Sequence, residues 1–160
     1  MKLTNKIGKK TSGTVAYKKY YRVQFGDIHF YQWLVQIGLS SRKSLTLNTL
    51  QIPDEFFFDF LRGFYDGDGT IYAFWDRRWH SSYMFYITFT SASLPFLLWL
   101  QDTILRLRGI TGVIRPSTRS YGLSFAKRSS SQLARCMYLI RGAPHLRRKF
   151  IKMQKIFEIN

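Results

Sequence analysis

The chain has 160 residues and a formal net charge of +16 at pH 7, from 25 lysines and arginines against 9 aspartates and glutamates. This length suits one domain, or a tight pair of half-domains, with a buried core. The positive excess predicts a polyanionic partner such as nucleic acid, with a membrane surface as the alternative. No apolar stretch is long enough to span a bilayer. The single cysteine, Cys136, excludes a disulfide framework and a zinc site built from cysteines.

The amino-terminal part of the chain predicts a β-hairpin followed by a helix. A short basic strand over residues 6–10 leads into a turn. Apolar residues then alternate with polar and basic ones over 17–25, which predicts a half-buried strand. Helical spacing over 28–37 ends at Gly38, and a connection follows over 40–50.

Residues 52–69 predict the helix around which the chain is organised. Pro53 suits a first helical turn, and Asp54 places negative charge against the positive end of the helix dipole. Gly67 and Gly69 are predicted to stop the helix, because glycine takes the left-handed conformation that often ends one. We therefore expect a helix whose last turn contains an Asp-Gly-Asp-Gly sequence.

One face of this helix is bare, because Gly63 and Gly67 lie four residues apart. Small residues at that spacing let two helix backbones approach closely. We therefore expect a second helix to pack here, with the bulky Phe60 and Phe64 completing the interface. If the second helix is a like one, two Asp68 carboxylates converge at its end. At about 4 Å and an effective dielectric constant of about 20 they repel by roughly 4 kcal/mol.

Asp66 and Asp68 stand at the carboxyl end of the helix, where the dipole is negative and disfavours carboxylates. A positive group is therefore predicted beside Asp68, and a divalent metal ion is the natural candidate. The alternative interpretation is that Asp66-Gly67-Asp68-Gly69 is only a turn, as Asp-Gly pairs usually are.

The remaining chain predicts pairs of strands that alternate with helices. Phe85, Ile87 and Phe89 point inward from one of these strands, while Tyr86 and Thr88 point outward. The predicted elements are strands over 70–75 and 83–90, a helix over 94–107, a strand hairpin around Pro116 over 112–115 and 120–126, and helices over 131–140 and 145–159.

The acidic residues are concentrated at one place in the sequence. Most lie between Asp54 and Asp68, and none occurs from Thr103 to Phe157, where arginine and lysine recur. A nuclease needs this arrangement, because cations hold the nucleic-acid backbone and carboxylates are wanted only where a metal ion binds.

Residues 61–69, Leu-Arg-Gly-Phe-Tyr-Asp-Gly-Asp-Gly, resemble the LAGLIDADG motif of homing endonucleases. Phe64, Tyr65 and Gly67 are apolar or small replacements, and Arg62 departs from the usual alanine. The resemblance implies an α+β fold, an αββαββα domain whose concave antiparallel sheet forms a saddle. A β-ribbon of this kind fits the DNA major groove. The identical positions are Leu61, Gly63, Asp66, Asp68 and Gly69.

An internal repeat is similar to the two-motif members of this family. Residues 19–25 match 119–125 in pattern, and each copy precedes an apolar helix and a basic pair. The resemblance implies a partial first half-domain (ββα) over 1–50 and a LAGLIDADG domain over 51–160. Either the chain is truncated at its start or the family plan has been trimmed, and chance similarity of two amphipathic strands is the remaining alternative.

The resemblance also implies roles for individual residues. Asp68 matches the metal-binding acid, with the Gly67 carbonyl beside it, and the implied metal is Mg²⁺. Lys149 matches the basic residue near the scissile phosphate, and Lys43 is its counterpart in the first copy. Ser91, next to Thr90, falls where the family has a polar residue that positions water. The alternative for Lys149 is a phosphate-contacting lysine among several.

The outward strand residues are candidate base readers in double-stranded DNA, since arginine to guanine is the commonest specific contact. For each one singly, a phosphate contact or plain solvation is the alternative. The candidates are Tyr72, Arg77, Arg78, Tyr86, Thr88, Arg115, Arg119 and Lys127.

Together these features predict a Mg²⁺-dependent, site-specific DNA endonuclease, associated with intron or intein mobility. It would act as a homodimer or pseudo-dimer through the motif helix, with no membrane partner. The alternative is a non-catalytic relative of the same fold, such as an intron RNA maturase, a regulator or a decayed fragment. We expect an intracellular protein, in a bacterial or archaeal cytoplasm or in an organelle.

Overall fold

The computed structural model describes residues 5–12, 15–40, 45–78, 82–139 and 142–158. The chain forms two compact units, Met1–Val35 and Gln36–Asn160. The half-domain boundary predicted after residue 50 stays a prediction, because a unit defined by its internal contacts need not coincide with a copy of a repeat. Across the described part of the chain, no helix combines the length and the apolar character needed to cross a membrane.

The first unit contains a hairpin and most of a short helix. Strand β1 (Gly8–Ser12) pairs antiparallel with β2 (Val15–Arg22), and helix α1 (Ile28–Gln36) follows. The prediction of a half-buried second strand is wrong where side chains are described, because Tyr21 is 73% exposed. The alternation marks an apolar face correctly, but one hairpin has too little partner surface to bury it.

The second unit confirms the α+β fold and the predicted order of elements. A short 3₁₀ turn at Asp54–Phe56 leads into the motif helix. The elements are α2 (Phe57–Asp68), β3 (Thr70–Trp75), β4 (Tyr83–Ser91), α3 (Leu94–Arg108), β5 (Val113–Ser117), β6 (Ser120–Phe125), α4 (Lys127–Tyr138) and α5 (Arg147–Glu158).

The four strands of this unit form one antiparallel sheet in the order β3-β4-β6-β5. Helices α2, α3 and α4 pack on one face of it. Phe85, Ile87 and Phe89 of β4 are fully buried beneath them, as the alternation predicts, together with Leu61 and Tyr65 of α2. The opposite face of the sheet is left open, and the outward residues stand on it.

Local signals explain where α3 begins and ends. The Ser93 hydroxyl accepts a hydrogen bond from the Phe96 backbone N–H at 3.4 Å, which caps the first turn. Gly109 ends the helix in the left-handed conformation, with φ +65°, and Arg106 and Arg108 lie in the last turn, where cations suit the dipole.

The end of α2 differs from its prediction. Gly67 is helical, and Gly69 follows the helix with φ −74°, so neither glycine takes the left-handed conformation. Gly69 is needed for space instead, because a Cβ atom there would lie 2.8 Å from the Tyr65 Cα.

The second hairpin also differs from its prediction. Pro116 lies within β5 rather than at the turn. The turn is formed by Thr118 and Arg119, and Arg119 has φ 58°.

Candidate active site

Asp68 is the last residue of α2 and its carboxylate is exposed to solvent. Within the described residues, no hydrogen bond or ion pair engages this carboxylate. Two depressions meet at Asp68, a basic cavity on one side and an apolar groove on the other. A carboxylate at the negative end of a helix is unfavourable for stability, and a nearby cation would offset that cost.

The Lys149 ammonium group from α5 lies at the same helix end. Its Nζ donates to the Tyr65 carbonyl at 2.5 Å, the Gly69 carbonyl at 2.7 Å and the Gly67 carbonyl at 3.4 Å. Lysine near a helix carboxyl terminus satisfies the last carbonyls and offsets the dipole. The positive group predicted beside Asp68 is therefore supplied, at least in part, by the protein itself.

Burial and the neighbouring carboxylates act in opposite directions on the pKa of Lys149. Burial lowers the pKa of Lys149 below its ordinary 10.5, and the neighbouring Arg148 lowers it further. Asp66 and Asp68 oppose this by favouring the charged form. Proton loss from this ammonium group is therefore easier than from a solvated lysine.

The basic cavity beside Asp68 has a volume of about 450 Å³. It places one carboxylate among three cationic side chains, and cationic side chains donate strong hydrogen bonds to phosphate oxygens. Its lining residues are Tyr65, Gly67, Asp68, Gly69, Thr70, Ile71, Arg148, Lys149 and Lys152.

Asp66 has a different environment from Asp68. Its Oδ1 accepts the Tyr138 hydroxyl at 2.5 Å, and its Oδ2 accepts the Leu146 backbone N–H at 2.7 Å. Burial, and then the bond to Asp66, raise the pKa of Tyr138 above its ordinary value, so the hydroxyl keeps the proton it donates. Asp66 therefore supports the start of α5, the helix that carries Lys149.

Arg62 performs a structural role that the sequence did not reveal. Its side chain is buried, with only 4% of the residue exposed. Its guanidinium donates to the Pro144 carbonyl at 3.0 Å and the Met137 carbonyl at 2.9 Å, and to the Asp59 carboxylate at 2.5 Å. Arg62 and Asp66 lie one helical turn apart, so together they hold α2 to the connection between α4 and α5.

The glycine face of α2 is open. Among the described residues, a Cβ atom added at Gly63 or at Gly67 would meet no atom within 4 Å beyond its chain neighbours and its own helix backbone. Arg62 does not obstruct this face, because its guanidinium points to the carbonyls of Met137 and Pro144. The predicted interface residues Phe60 and Phe64 are partly buried, with their rings stacked at 6.5 Å.

An apolar groove of about 760 Å³ runs along this face. It brings three of the predicted interface residues together with Asp68 and Ser91, whereas the fourth, Gly67, lines the basic cavity. Its lining residues are Leu39, Leu47, Leu50, Phe60, Gly63, Phe64, Asp68, Thr90, Ser91, Ala92 and Phe96.

The two remaining predicted catalytic residues have separate outcomes. Ser91 ends β4, and its hydroxyl accepts a hydrogen bond from the Ser93 backbone N–H at 3.1 Å. That bond orients Ser91 at the start of α3, within the groove that also contains Asp68. Lys43 lies outside the described residues.

The open face of the sheet gathers four of the predicted base readers. Tyr72, Tyr86, Thr88 and Arg115 line a common cavity of about 520 Å³. The Thr88 hydroxyl is hydrogen-bonded to that of Ser124 at 2.9 Å across the strands. Hydroxyl and guanidinium groups on one concave surface provide the donors and acceptors that base edges recognise.

The other four predicted readers lie at the ends of strands, away from this cavity. Arg77 and Arg78 follow β3, and Arg78 forms an exposed ion pair with Asp76 at 3.3 Å. Arg119 lies in the turn between β5 and β6, and Lys127 begins α4. These positions suit contacts to phosphates rather than to base edges.

The predicted Mg²⁺ site can be tested against the donor atoms of the chain. Mg²⁺ takes oxygen ligands and keeps several waters. The described residues contain no group of three or more His, Cys, Asp and Glu side chains able to hold a metal ion. At the end of α2, the oxygens suited to Mg²⁺ are the Asp68 carboxylate and the Gly67 carbonyl. Together with the same pair from a second motif helix, these two oxygens would form the kind of oxygen-only ligand set that Mg²⁺ binds.

Comparisons with known proteins identify similarity at two levels. The sequence profile of the LAGLIDADG-like domain family matches residues 55–148. Among solved structures, the chain is similar to the homing endonuclease I-CvuI in complex with the I-CreI target, determined with 2 mM Mg and showing DNA not cleaved. That match has 18% sequence identity and a TM-score of 0.48, and covers 66% of this chain and 69% of the other. No curated protein matches the chain.

Proposed function

We propose that this chain, which belongs to the LAGLIDADG family, is a site-specific DNA endonuclease of the homing type that uses Mg²⁺. The observation that carries the proposal is the position of Asp68. Its carboxylate, which no hydrogen bond or ion pair of the described residues engages, lies where the basic cavity meets the glycine face of the motif helix. A purely structural helix end would have no use for such a carboxylate.

Binding of the substrate is divided between two surfaces. The open sheet face, with Arg115 and Thr88, contacts base edges in the major groove of double-stranded DNA. Arg148 and Lys152 beside Asp68 attract the phosphate backbone, and counterion release adds a salt-dependent contribution to affinity. The backbone is thereby brought to the carboxylate.

At the end of α2, the Asp68 carboxylate and the Gly67 carbonyl would hold the metal ion. When bound, Mg²⁺ supplies positive charge that stabilises the phosphate oxygens during hydrolysis of the phosphodiester bond. Lys149 adds positive charge at the same helix end. Its longest contact, 3.4 Å to the Gly67 carbonyl, is the hydrogen bond that it would exchange for one donated to a phosphate oxygen.

Cleavage of both DNA strands requires two such sites. This chain contains one motif helix, so the second comes from a homodimer or from a further copy of the motif. The open Gly63 and Gly67 face permits close approach of that helix. The protein would serve intron or intein mobility. It would act inside the cell, in a compartment that contains DNA.

One observation favours a second candidate function. The Lys149 ammonium donates to three backbone carbonyls, so it is already used as a helix cap. If that is its whole role, the chain is a non-catalytic nucleic-acid-binding relative, such as an intron RNA maturase, a regulator or a decayed fragment.

Plasmid cleavage tests the proposal. The purified chain is incubated with Mg²⁺ and a pooled library of target plasmids, and its mass is recorded by light scattering. We expect cleavage by a dimer that Asp68→Asn abolishes. The matched control is Asp102→Asn, an exposed aspartate of α3, which leaves cleavage unchanged. Salt-sensitive DNA or RNA binding without cleavage, by a monomer, contradicts the nuclease and supports the second candidate.

A further inference from the structure

The open face of β3 and β4 carries three aromatic rings, Tyr72, Phe74 and Tyr86, here called the aromatic patch. The ring centroids of Tyr72 and Phe74 lie 5.2 Å apart, and those of Phe74 and Tyr86 lie 6.3 Å apart with nearly parallel planes. Tyr72 is 63% exposed and Phe74 is 36% exposed. The patch is therefore a continuous apolar surface in contact with water.

Folding of the chain does not account for this surface. Tyr72 is paired with Tyr86 across the strands, and both alternate with residues that face the helices. The rings of the patch do not belong to the buried core of the described residues. Exposed aromatic area of this kind costs free energy in water and is typical of a binding surface.

The aromatic patch is continuous with the polar part of the sheet face. Tyr72 and Tyr86 line the same cavity of about 520 Å³ as Thr88 and Arg115. At the end of β3, Arg77 and Arg78 add positive charge next to the rings. The surface thus combines apolar contact, hydrogen-bond donors and positive charge. The major groove of a DNA duplex and its flanking phosphates can bind all three at once.

The major groove of DNA presents one apolar group, the C5-methyl of thymine. We infer that the aromatic patch is a specificity element that packs against thymine methyl groups in the target. The inference rests on the proposed function of this sheet face and states which bases it selects. Base pairs facing the β3–β4 end should contain thymine, whereas those facing Arg115 are read through hydrogen bonds.

Stacking on unpaired bases is the other chemistry that exposed rings offer, as in RNA-binding sheets. A stacked base needs a free ring face. Here Phe74 contacts both tyrosine rings, so the three rings form one row within the sheet rather than separate platforms. A methyl group packs on such a row, and the row continues into the cavity that Arg115 lines, so duplex DNA is favoured.

The test measures binding rather than cleavage. The full chain selects its preferred sites from a random-sequence duplex library in Ca²⁺, and the selected thymines are then replaced one at a time by deoxyuridine. Deoxyuridine keeps the base pair and removes only the methyl group. We expect about a fourfold loss of affinity for each methyl group that contacts the patch, from the area that one such group buries.

Phe74→Ser is the informative variant. It should bind thymine and deoxyuridine sites equally, while its far-ultraviolet spectrum and thermal midpoint match those of the matched control Trp75→Ser. Trp75 is the next residue of β3, is 60% exposed and faces the other side of the sheet, so its variant should retain the preference for thymine.

The outcomes separate this inference from the proposed function. A thymine preference among the sites selected in Ca²⁺, together with no cleavage of those sites in Mg²⁺, supports the inference and contradicts the nuclease. Cleavage at sites where deoxyuridine changes nothing supports the nuclease and overturns the inference. Tighter binding to single-stranded RNA or DNA than to any selected duplex overturns it as well, in favour of stacking.

Discussion

Two faces of the motif helix have opposite surroundings. Asp66 and Asp68 are two residues apart, so they project about 200° apart around the helix axis. Asp66 is held by the Tyr138 hydroxyl and the Leu146 N–H, whereas within the described residues no hydrogen bond or ion pair engages Asp68. Two identical carboxylates in one short motif therefore serve different purposes, one in assembling the fold and one in meeting a ligand.

The same contrast separates neighbouring residues of α2. Arg62 is buried and hydrogen-bonded to the α4–α5 connection, while Gly63 faces open space. The face of α2 that carries Arg62 and Asp66, here called the held face, fixes where α5 and its Lys149 lie. The face that carries Gly63 is left for a second helix. A departure from the motif at Arg62 thus leaves the glycine face intact.

The largest expected effect comes from exchanging the two carboxylates for amides. Asp68→Asn should lower the cleavage rate on the order of 10³-fold and change the free energy of unfolding by less than about 0.5 kcal/mol. Asp66→Asn should instead reduce the free energy of unfolding by about 1–3 kcal/mol, since an amide cannot accept both hydrogen bonds as well. Plasmid cleavage and urea unfolding measure the two. Equal destabilisation by both variants would remove the contrast.

Arg62→Met tests the held face. We expect a loss of about 3 kcal/mol in the free energy of unfolding, because the buried Met137 carbonyl, the partly buried Pro144 carbonyl and Asp59 lose their donor. Urea unfolding measures it. The matched control is Arg128→Met, an exposed arginine in α4, which should change stability by less than about 0.5 kcal/mol. A loss for Arg62→Met no larger than for the control would show that the buried network contributes nothing.

Two glycine substitutions sharpen the comparison. Gly69→Ala should cost about 1–3 kcal/mol, because the added methyl group meets Tyr65. Gly63→Ala should raise the free energy of unfolding of the monomer by about 0.5–1 kcal/mol, since alanine loses less backbone entropy in a helix. Gly63→Ala should also weaken self-association, measured by sedimentation. Unchanged self-association would place the dimer contact elsewhere.

The smallest expected effect is a change with pH. Because its pKa is lowered from the ordinary 10.5, the Lys149 ammonium loses its proton, and its attraction for phosphate, at a lower pH than a solvated lysine does. As the pH is raised, DNA affinity should therefore begin to fall before the pH reaches the ordinary lysine pKa of 10.5. Lys149→Arg stays charged and should show a flatter alkaline profile. Identical profiles would mean that Lys149 does not contact DNA.

The lowered pKa of Lys149 also makes the free energy of unfolding depend on pH. A lysine whose folded pKa lies below its unfolded pKa disfavours the folded state while it is charged. The unfolded chain binds more protons between the two values, so the free energy of unfolding should rise with pH across that interval. The Lys149→Met variant should lack this rise in a series of urea unfolding curves.

Several parts of the fold and the site could be predicted from sequence. The alternation of Phe85, Ile87 and Phe89 predicts a strand with one buried face, which the structure confirms. A carboxylate at a helix carboxyl end is locally unfavourable, so the position of Asp68 predicts a cation beside it. The half-burial predicted for β2 was wrong at Tyr21, because alternation marks an apolar face without showing what covers it.

What the sequence by itself determined is local: the order of helices and strands, the bare glycine face, and the concentration of acids beside a basic remainder. These follow from side-chain spacing within a few residues. Only the tertiary structure decided the distant partners of Arg62, Asp66 and Lys149, which lie 72 to 84 residues away in the sequence. Spacing along the chain carries no information about such contacts, because folding brings distant segments together through their packed apolar faces.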